Sequence, residues 1–430
     1  VIQADPSNYL TKLATLKAGD TLLLAPGNYG IDSQGNDTGN PPGLPIFGLH
    51  GTAGAPIVIT GPDSGPRPVL MGRSTHNTIR LSDASHVVIR RLEVDGRGLE
   101  GFGVSTQGST HDITIEDNYF HGLGADQQIV AISTTGSPTW NWVIRRNRIV
   151  GAGTGIYLGN STGDSPFVAG LIEHNVIVDS IGYNMQIKHQ TVWPSGLPAG
   201  FPTGKTITII RHNVFSKSGN SATGGSARPN LLVGDCPPSG AGSTNGYAIY
   251  GNFFYQNPTE ALFQGEGNVA LYDNVMVASA DAAVRVQQHN GSVRDVRIFH
   301  NTVVASSSAA ILVSGGASGY TQSVLANAVF APTTPISVSG SGASATQNVT
   351  DSQANAAAYL VNPLAAVGSL SLYPKAGSAL KASTADLSGL DAFPDWNRDF
   401  NGTARDATYR GAYSGEGANP GWLLALDFKP

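Results

Sequence analysis

The segment Trp142–Asp179, WVIRRNRIVGAGTGIYLGNSTGDSPFVAGLIEHNVIVD, decides the fold. One phrase occurs in it twice, as WVIRRNRIVG and GLIEHNVIVD, with Asn147 and Asn175 at the same place in each. A second apolar run, GIYLG at 155–159, lies between them. The phrase recurs upstream as VVIRRLEVDG and ITIEDNYFHG, and downstream as TIIRHNVFSK, AIYGNFFYQN, ALYDNVMVAS, RIFHNTVVAS and VLANAVFAP. These align on Asn118, Asn147, Asn175, Asn213, Asn252, Asn274, Asn301 and Asn327, with Leu92 in the earliest copy. The separations are 29, 28, 38, 39, 22, 27 and 26 residues. Apart from the two long spacings, a period near 22 to 29 residues is the signature of a solenoid, each copy being one coil that buries its apolar face only against its neighbours.

Each copy is preceded by another short strand: FGVST, IVAIST, GIYLG, NMQIK, NLLVG, ALFQG, AVRVQ and AILVS. With the short strand after the Asn, this makes three strands per coil and no helix between them. The expected fold is therefore all-β, a right-handed parallel β-helix. Identical residues stack in such a fold, so the asparagines are expected to form an internal ladder that satisfies backbone groups at a tight bend.

Composition agrees. Charged residues are only 13% of the 430, whereas Gly numbers 54, which suits a stacked β protein with many turns. The net charge of -5 offers no basic field for nucleic acid. Cys236 is the single cysteine, which excludes an intrachain disulfide and a cysteine-type structural zinc site. No apolar run approaches the roughly 18 residues that span a bilayer. The opening VIQADPSNYL does not resemble a signal peptide, so the expected location, secreted or periplasmic, presumes a signal already removed.

The coils are punctuated by Gly and Pro from the start, with strands expected at 22–24, 57–60 and 69–71 and a short cap helix over 9–16. Residues 1–76 are read as an N-terminal cap with the first coils, 77–330 as the coils that carry the groove, and 331–430 as last irregular coils with a C-terminal cap. Two spacings are long because of insertions. One is HQTVWPSGLPAGFPTG, between Lys188 and Lys205; the other is SKSGNSATGGSA, between Phe215 and Arg228. Long loops in a compact repeat are usually functional, and these two are expected to wall a groove along one strand column.

The groove column contains Tyr157, Gln186, Lys188, Gln264, Arg285 and Gln287, bordered by Tyr183, Asn184, His189, Arg228, Asn230 and Glu266. In Met185–Lys188 apolar and polar residues alternate, so Lys188 is expected on the outer face. A solvated surface lysine is the bland alternative. With coils about 4.8 Å apart, amides, aromatics and a few cations suit an acidic polysaccharide. The chemistry such a set supports is β-elimination at a uronic acid, in which a base removes the proton beside the carboxylate while donors hold the accumulating charge. Lys188 is the candidate base, its pKa lowered by flanking arginines. Arg228, in preference to Arg211, is the candidate carboxylate fork, and His189 or Tyr183 the acid for the leaving oxygen. Hydrolysis would instead need two facing carboxylates, for which Asp164, Asp235, Glu260 and Glu266 are candidates. A glycoside hydrolase and a non-catalytic, tailspike-like glycan binder are the competing functions.

KAGDTLLLAPGNY at 17–29, GTAGAPIVITGPDSGPRPVLMG at 51–72, the Asn-centred coils and DFNGTARDATYRGAY at 399–413 together resemble the secreted β-helix polysaccharide lyases of the chondroitinase B and alginate lyase type. The resemblance implies a lysine base on the first strand, which MQIKHQ places at Lys188, and an arginine one coil further on. It also brings in calcium, which in that family neutralises the substrate carboxylate. Where the family carries the acidic ligands this chain has Ile181 and Tyr183, so no metal ligand is assigned.

Overall fold

The computed structural model describes residues 1–31, 43–74 and 76–430; part of the segment read as an N-terminal cap, 32–42 and 75, lies outside the described residues. It is a parallel β-helix, and its chain divides into two compact units: 1–206 with 237–243, and 207–236 with 244–430.

In the first unit the strands stack in three rows. The first row runs through Leu44–Phe47, the start of Ile79–Arg90, the start of Val104–Glu116, Val130–Ser133, Thr154–Leu158 and Met185–Ile187. The second row includes Ile57–Thr60, Val143–Arg145 and Leu171–Glu173, and the third includes Tyr119–His121, Arg148–Val150 and Val176–Val178. The long strands Ile79–Arg90 and Val104–Glu116 pass from the first row into the second without a break. Inward positions are stacked aliphatics: Ile59, Ile89, Ile115, Ile144 and Ile172 are all fully buried, each burial being worth about 1.5–3 kcal/mol. The expected strands appear at Thr21–Leu24, Ile57–Thr60 and Pro68–Met71, and the cap helix is shorter than expected, Tyr9–Leu13.

The second unit repeats the three rows. Its first row includes Leu231–Val233, Phe263–Gly265 and Val284–Val286. Aromatics stack along other rows, as Phe215 on Phe254 at 5.0 Å and Tyr250, Tyr272 and Phe299 at 4.8 and 4.5 Å.

The asparagine ladder is present in both units. Asn252 shows the pattern: its backbone N–H and its Nδ2 both donate to Asn274 Oδ1 at 3.0 Å, and Nδ2 also donates to the carbonyls of Ile210 and Tyr250. The same bonds join Asn118, Asn147 and Asn175 in the first unit and run from Asn213 to Asn327 in the second. The ladder begins at Leu92, whose N–H donates to Asn118 Oδ1, and extends one coil beyond Asn327, to Asn348. Directly before each of these asparagines stands a residue in the left-handed region, among them Asp117, Arg146, His174, His212, Asp273, His300 and Ala326. The ladder closes the bend that these residues open.

Candidate functional site

Lys188 follows the strand Met185–Ile187, whose register places Gln186 over Tyr157 and Ile187 over Leu158. Its backbone N–H donates to the Leu158 carbonyl at 3.0 Å, so the side chain starts at the end of the first row, above Gly159. The reason is local sequence: Met185 and Ile187 are fully buried, and the pleat turns the alternate residues outward. Lys188 is half-buried rather than solvated, and so are His189, Tyr157 and Tyr183. Burial pushes the Tyr157 hydroxyl up to about 12, so it stays a neutral donor.

Gln186 was expected on the open face, but it is buried, at 3% exposure, and its Oε1 has no hydrogen-bond partner among the described residues. A buried amide oxygen without a donor carries a desolvation penalty of about 1–3 kcal/mol. Asn184 is fully buried and its Nδ2 donates to Ser180 Oγ at 3.3 Å. That bond ties the start of the strand to the preceding bend.

Beside this row, within the first unit, lies an open cleft of ≈ 680 Å³ whose lining includes Ser109, Thr135, Ser137, Asn160, Asp164 and Pro194. Hydrogen bonds from Asn160 and Thr162 hold the Asp164 carboxyl below its usual range. The insertion after Lys188 forms part of the cleft through Pro194, Gly196 and Pro198. Two contacts fix it. Gln190 is buried and exchanges hydrogen bonds with the Phe167 backbone at 3.1 and 3.0 Å, and Phe201, Trp193 and Leu197 pack on Trp140 and Val168. That aromatic anchor is legible in the sequence as TVWPSGLPAGF, a loop too apolar to be a free wall.

The residues of the second unit are mostly committed elsewhere. Arg228 donates from Nη1 to the carbonyls of Gly225 and Ala227 in its own loop. Its carbonyl in turn accepts from Lys217 Nζ and Asn257 Nδ2, each at 2.9 Å. Arg211 donates to Tyr250 Oη and to Asp395 Oδ2, both at 3.1 Å, and so ties the C-terminal cap to the coil instead of reaching a substrate. Asn230 is buried and accepts from Asn257 at 3.0 Å as part of a second amide stack. Glu266 accepts the backbone N–H groups of His289, Asn290 and Gly291, which makes it the pin of that turn. Asp235 accepts from Ser292 N–H and from Arg294 Nη2 at 3.0 Å. A Cβ on Gly291 would lie 2.2 Å from the Asp235 Cβ, so the carboxylate is sealed in. Glu266 and Asp235 are structural, which removes two of the four carboxylates considered for hydrolysis.

Asp164, in the cleft, and Glu260 remain, and Glu260 has a partner the sequence reading missed. Glu260 stands four residues before Gln264 and Asp281 four before Arg285, and Gln264 and Arg285 are paired in register. The two acids stand close enough for each to shift the other. Burial first, and then Asp281, raises the Glu260 carboxyl, whereas the Arg285 fork overcomes burial to hold Asp281 below its usual range. Burial thus favours the neutral form of Glu260, and the Arg285 fork the ionised form of Asp281. Its Oε1 accepts from Gln264 Nε2 at 3.1 Å, and Arg285 Nε donates to Asp281 Oδ2 at 2.9 Å. Arg285 also reaches Gln287 Oε1 at 3.3 Å. The equal offset of four from two paired positions was the available signal. Lys217, close by, is fully buried, with its amine pushed down to about 8 by burial; no substrate proton can reach it.

No family model matches the chain, and no curated protein does. Among solved structures it is similar to a PL6 family alginate lyase at 14% identity and a TM-score of 0.50, over 82% of this chain and 51% of that one. It is also similar to a pectate lyase, at 15% identity and a TM-score of 0.49 over 94% and 90% of the two chains. A third similarity is to the GH136 lacto-N-biosidase of Eubacterium ramulus, at 12% identity and a TM-score of 0.46, over 78% and 63%. The chain thus spans about half to two thirds of the alginate lyase and lacto-N-biosidase chains. The alginate lyase likeness agrees with the parallel β-helix that the strand rows show. No helix among the described residues is long and apolar enough to cross a membrane.

Proposed function

We propose that this protein is a polysaccharide lyase that cleaves an acidic, uronate-containing polysaccharide by β-elimination, with Lys188 as the base. The observation that carries the reading is the position of Lys188, half-buried at the end of the first row and above Gly159, with half-buried Tyr157 on the neighbouring coil. Among the described residues, no other lysine ends a strand of that row. The amine of Lys188 takes the proton from the carbon beside the carboxylate. The electron pair forms the carbon–carbon double bond, the glycosidic bond on the next carbon breaks, and its oxygen receives a proton from Tyr183 or His189. Tyr157, kept protonated, donates a hydrogen bond to the carboxylate. Arg228 is not given the carboxylate here, because its guanidinium serves its own loop. The alginate lyase likeness puts alginate first among substrates, and secretion or a periplasmic location fits such a substrate.

Incubation of the protein with alginate, polygalacturonate and chondroitin sulfate tests this. Elimination yields a product with the ultraviolet absorbance of an unsaturated uronate. Reducing ends without that absorbance, on any of the three, would overturn it.

A further inference from the structure

The corner of the two long strands in the first unit holds a group of side chains that the proposed reaction does not use. Their register sets Ser85 beside His111 and His111 beside Trp140, so that His86 and Asp112 occupy the next position of adjacent coils. Asp112 Oδ2 lies 2.6 Å from His111 Nδ1 and 3.8 Å from His86 Nε2. One ligand atom from each residue falls within 4.8 Å of the others. We propose that His86, His111 and Asp112 form a three-ligand site for a late first-row divalent metal, Zn²⁺ foremost.

Donor chemistry selects the ion. Two imidazoles and one carboxylate suit zinc and its neighbours, whereas calcium takes six to eight oxygens. Zinc bonds of about 2.0–2.2 Å put tetrahedral ligand atoms roughly 3.3–3.5 Å apart, so the seat forms once the metal replaces the proton between His111 and Asp112 and opens that contact by about 1 Å. The surroundings already fix the ligands. His111 stacks on Trp140 at 4.4 Å and 11°, and Trp140 is held edge-on by Phe201 at 5.3 Å. Asn141 Nδ2 donates to Asp112 Oδ1 at 3.2 Å, which leaves Oδ2 for the metal and supplies the outer-shell bond that ligating carboxylates carry. The three side chains are 27–29% exposed, enough for an ion to enter and for water to take the fourth position.

The test is titration of tag-free, chelator-treated protein with Co²⁺, read by visible d–d absorption, followed by displacement with Zn²⁺. The wild type is expected to saturate at one ion per chain. His86→Gln and Asp112→Asn are each expected to lose saturable uptake, and Asn141→Ala to weaken it about 10- to 100-fold. His121→Gln is the control: that imidazole bonds Glu93 at 2.9 Å in another row, and uptake should not change. A wild type without saturable absorption overturns the proposal without recourse to any variant. So does uptake that survives in folded His86→Gln and Asp112→Asn, or that is lost in His121→Gln.

Discussion

Lys188 and Glu260 show how much one side chain's surroundings alter its meaning. In the sequence Lys188 is a lysine in an alternating strand, and the alternation correctly predicts that it leaves the core. The alternation does not predict that Gln186, two residues earlier on the same face, is buried with an unpartnered oxygen, because period-2 patterning describes one sheet and says nothing of what covers its outer face. Glu260 appears in the sequence as an isolated acid; only the stacking of coils brings Asp281 to it. Under the elimination reading the pair is structural, so Glu260→Gln, whose amide offers Asp281 a donor, should change stability by no more than about 0.5 kcal/mol and leave the elimination rate within about twofold. Loss of all cleavage in a folded Glu260→Gln protein would transfer the chemistry to the carboxylates.

At the scale of the strand and its bend, the ladder is the legible part of the fold. A single asparagine in each phrase gave the coil boundaries, because only an amide offers both the donors and the acceptor that the bend needs. The left-handed residue before it was not legible: Asp, Arg, His, Gly and Ala all occur there, since its conformation is imposed by the bend and offset by the ladder. Each such non-glycine residue costs roughly 1–2 kcal/mol. Asn274→Ala removes donors to Ile249 O, Tyr272 O and Asn301 Oδ1 from a fully buried site. It should destabilise by about 3 kcal/mol or more, since several buried groups are orphaned together. Asn348→Ala, at the half-buried end of the ladder, should cost about 1 kcal/mol. Urea unfolding of the two variants checks the difference, and equal losses would mean that the ladder is not what holds the bends.

Over the whole molecule, fold class followed from the repeat alone, whereas the commitments of the cations did not. Arg211 and Arg405 both join the coils to the C-terminal segment, Arg211 with Asp395 and Arg405 with Asp273, and sequence distance hides both pairings. Lys429 is likewise buried, its Nζ 2.8 Å from His212 Nδ1 and 2.9 Å from the Gly251 carbonyl. Burial pushes its amine down to about 7 from the ordinary 10.5. Between those values the folded chain binds fewer protons at this position than the unfolded chain, so its contribution to stability rises with pH across that window. Lys429→Met removes that dependence. The Tm of the wild type relative to the variant should therefore climb from pH 7 toward pH 10, and a constant difference would show that the amine keeps its ordinary pKa when folded.

The central claim is that Lys188 is the base of an elimination, and it is tested most directly by the initial rate of unsaturated-uronate formation in Lys188→Ala beside the wild type, on the substrate the wild type cleaves fastest. The account predicts a loss of at least about 100-fold, the usual contribution of a general base, with the far-ultraviolet circular dichroism unchanged. A Lys188→Ala protein that eliminates at the wild-type rate would contradict it.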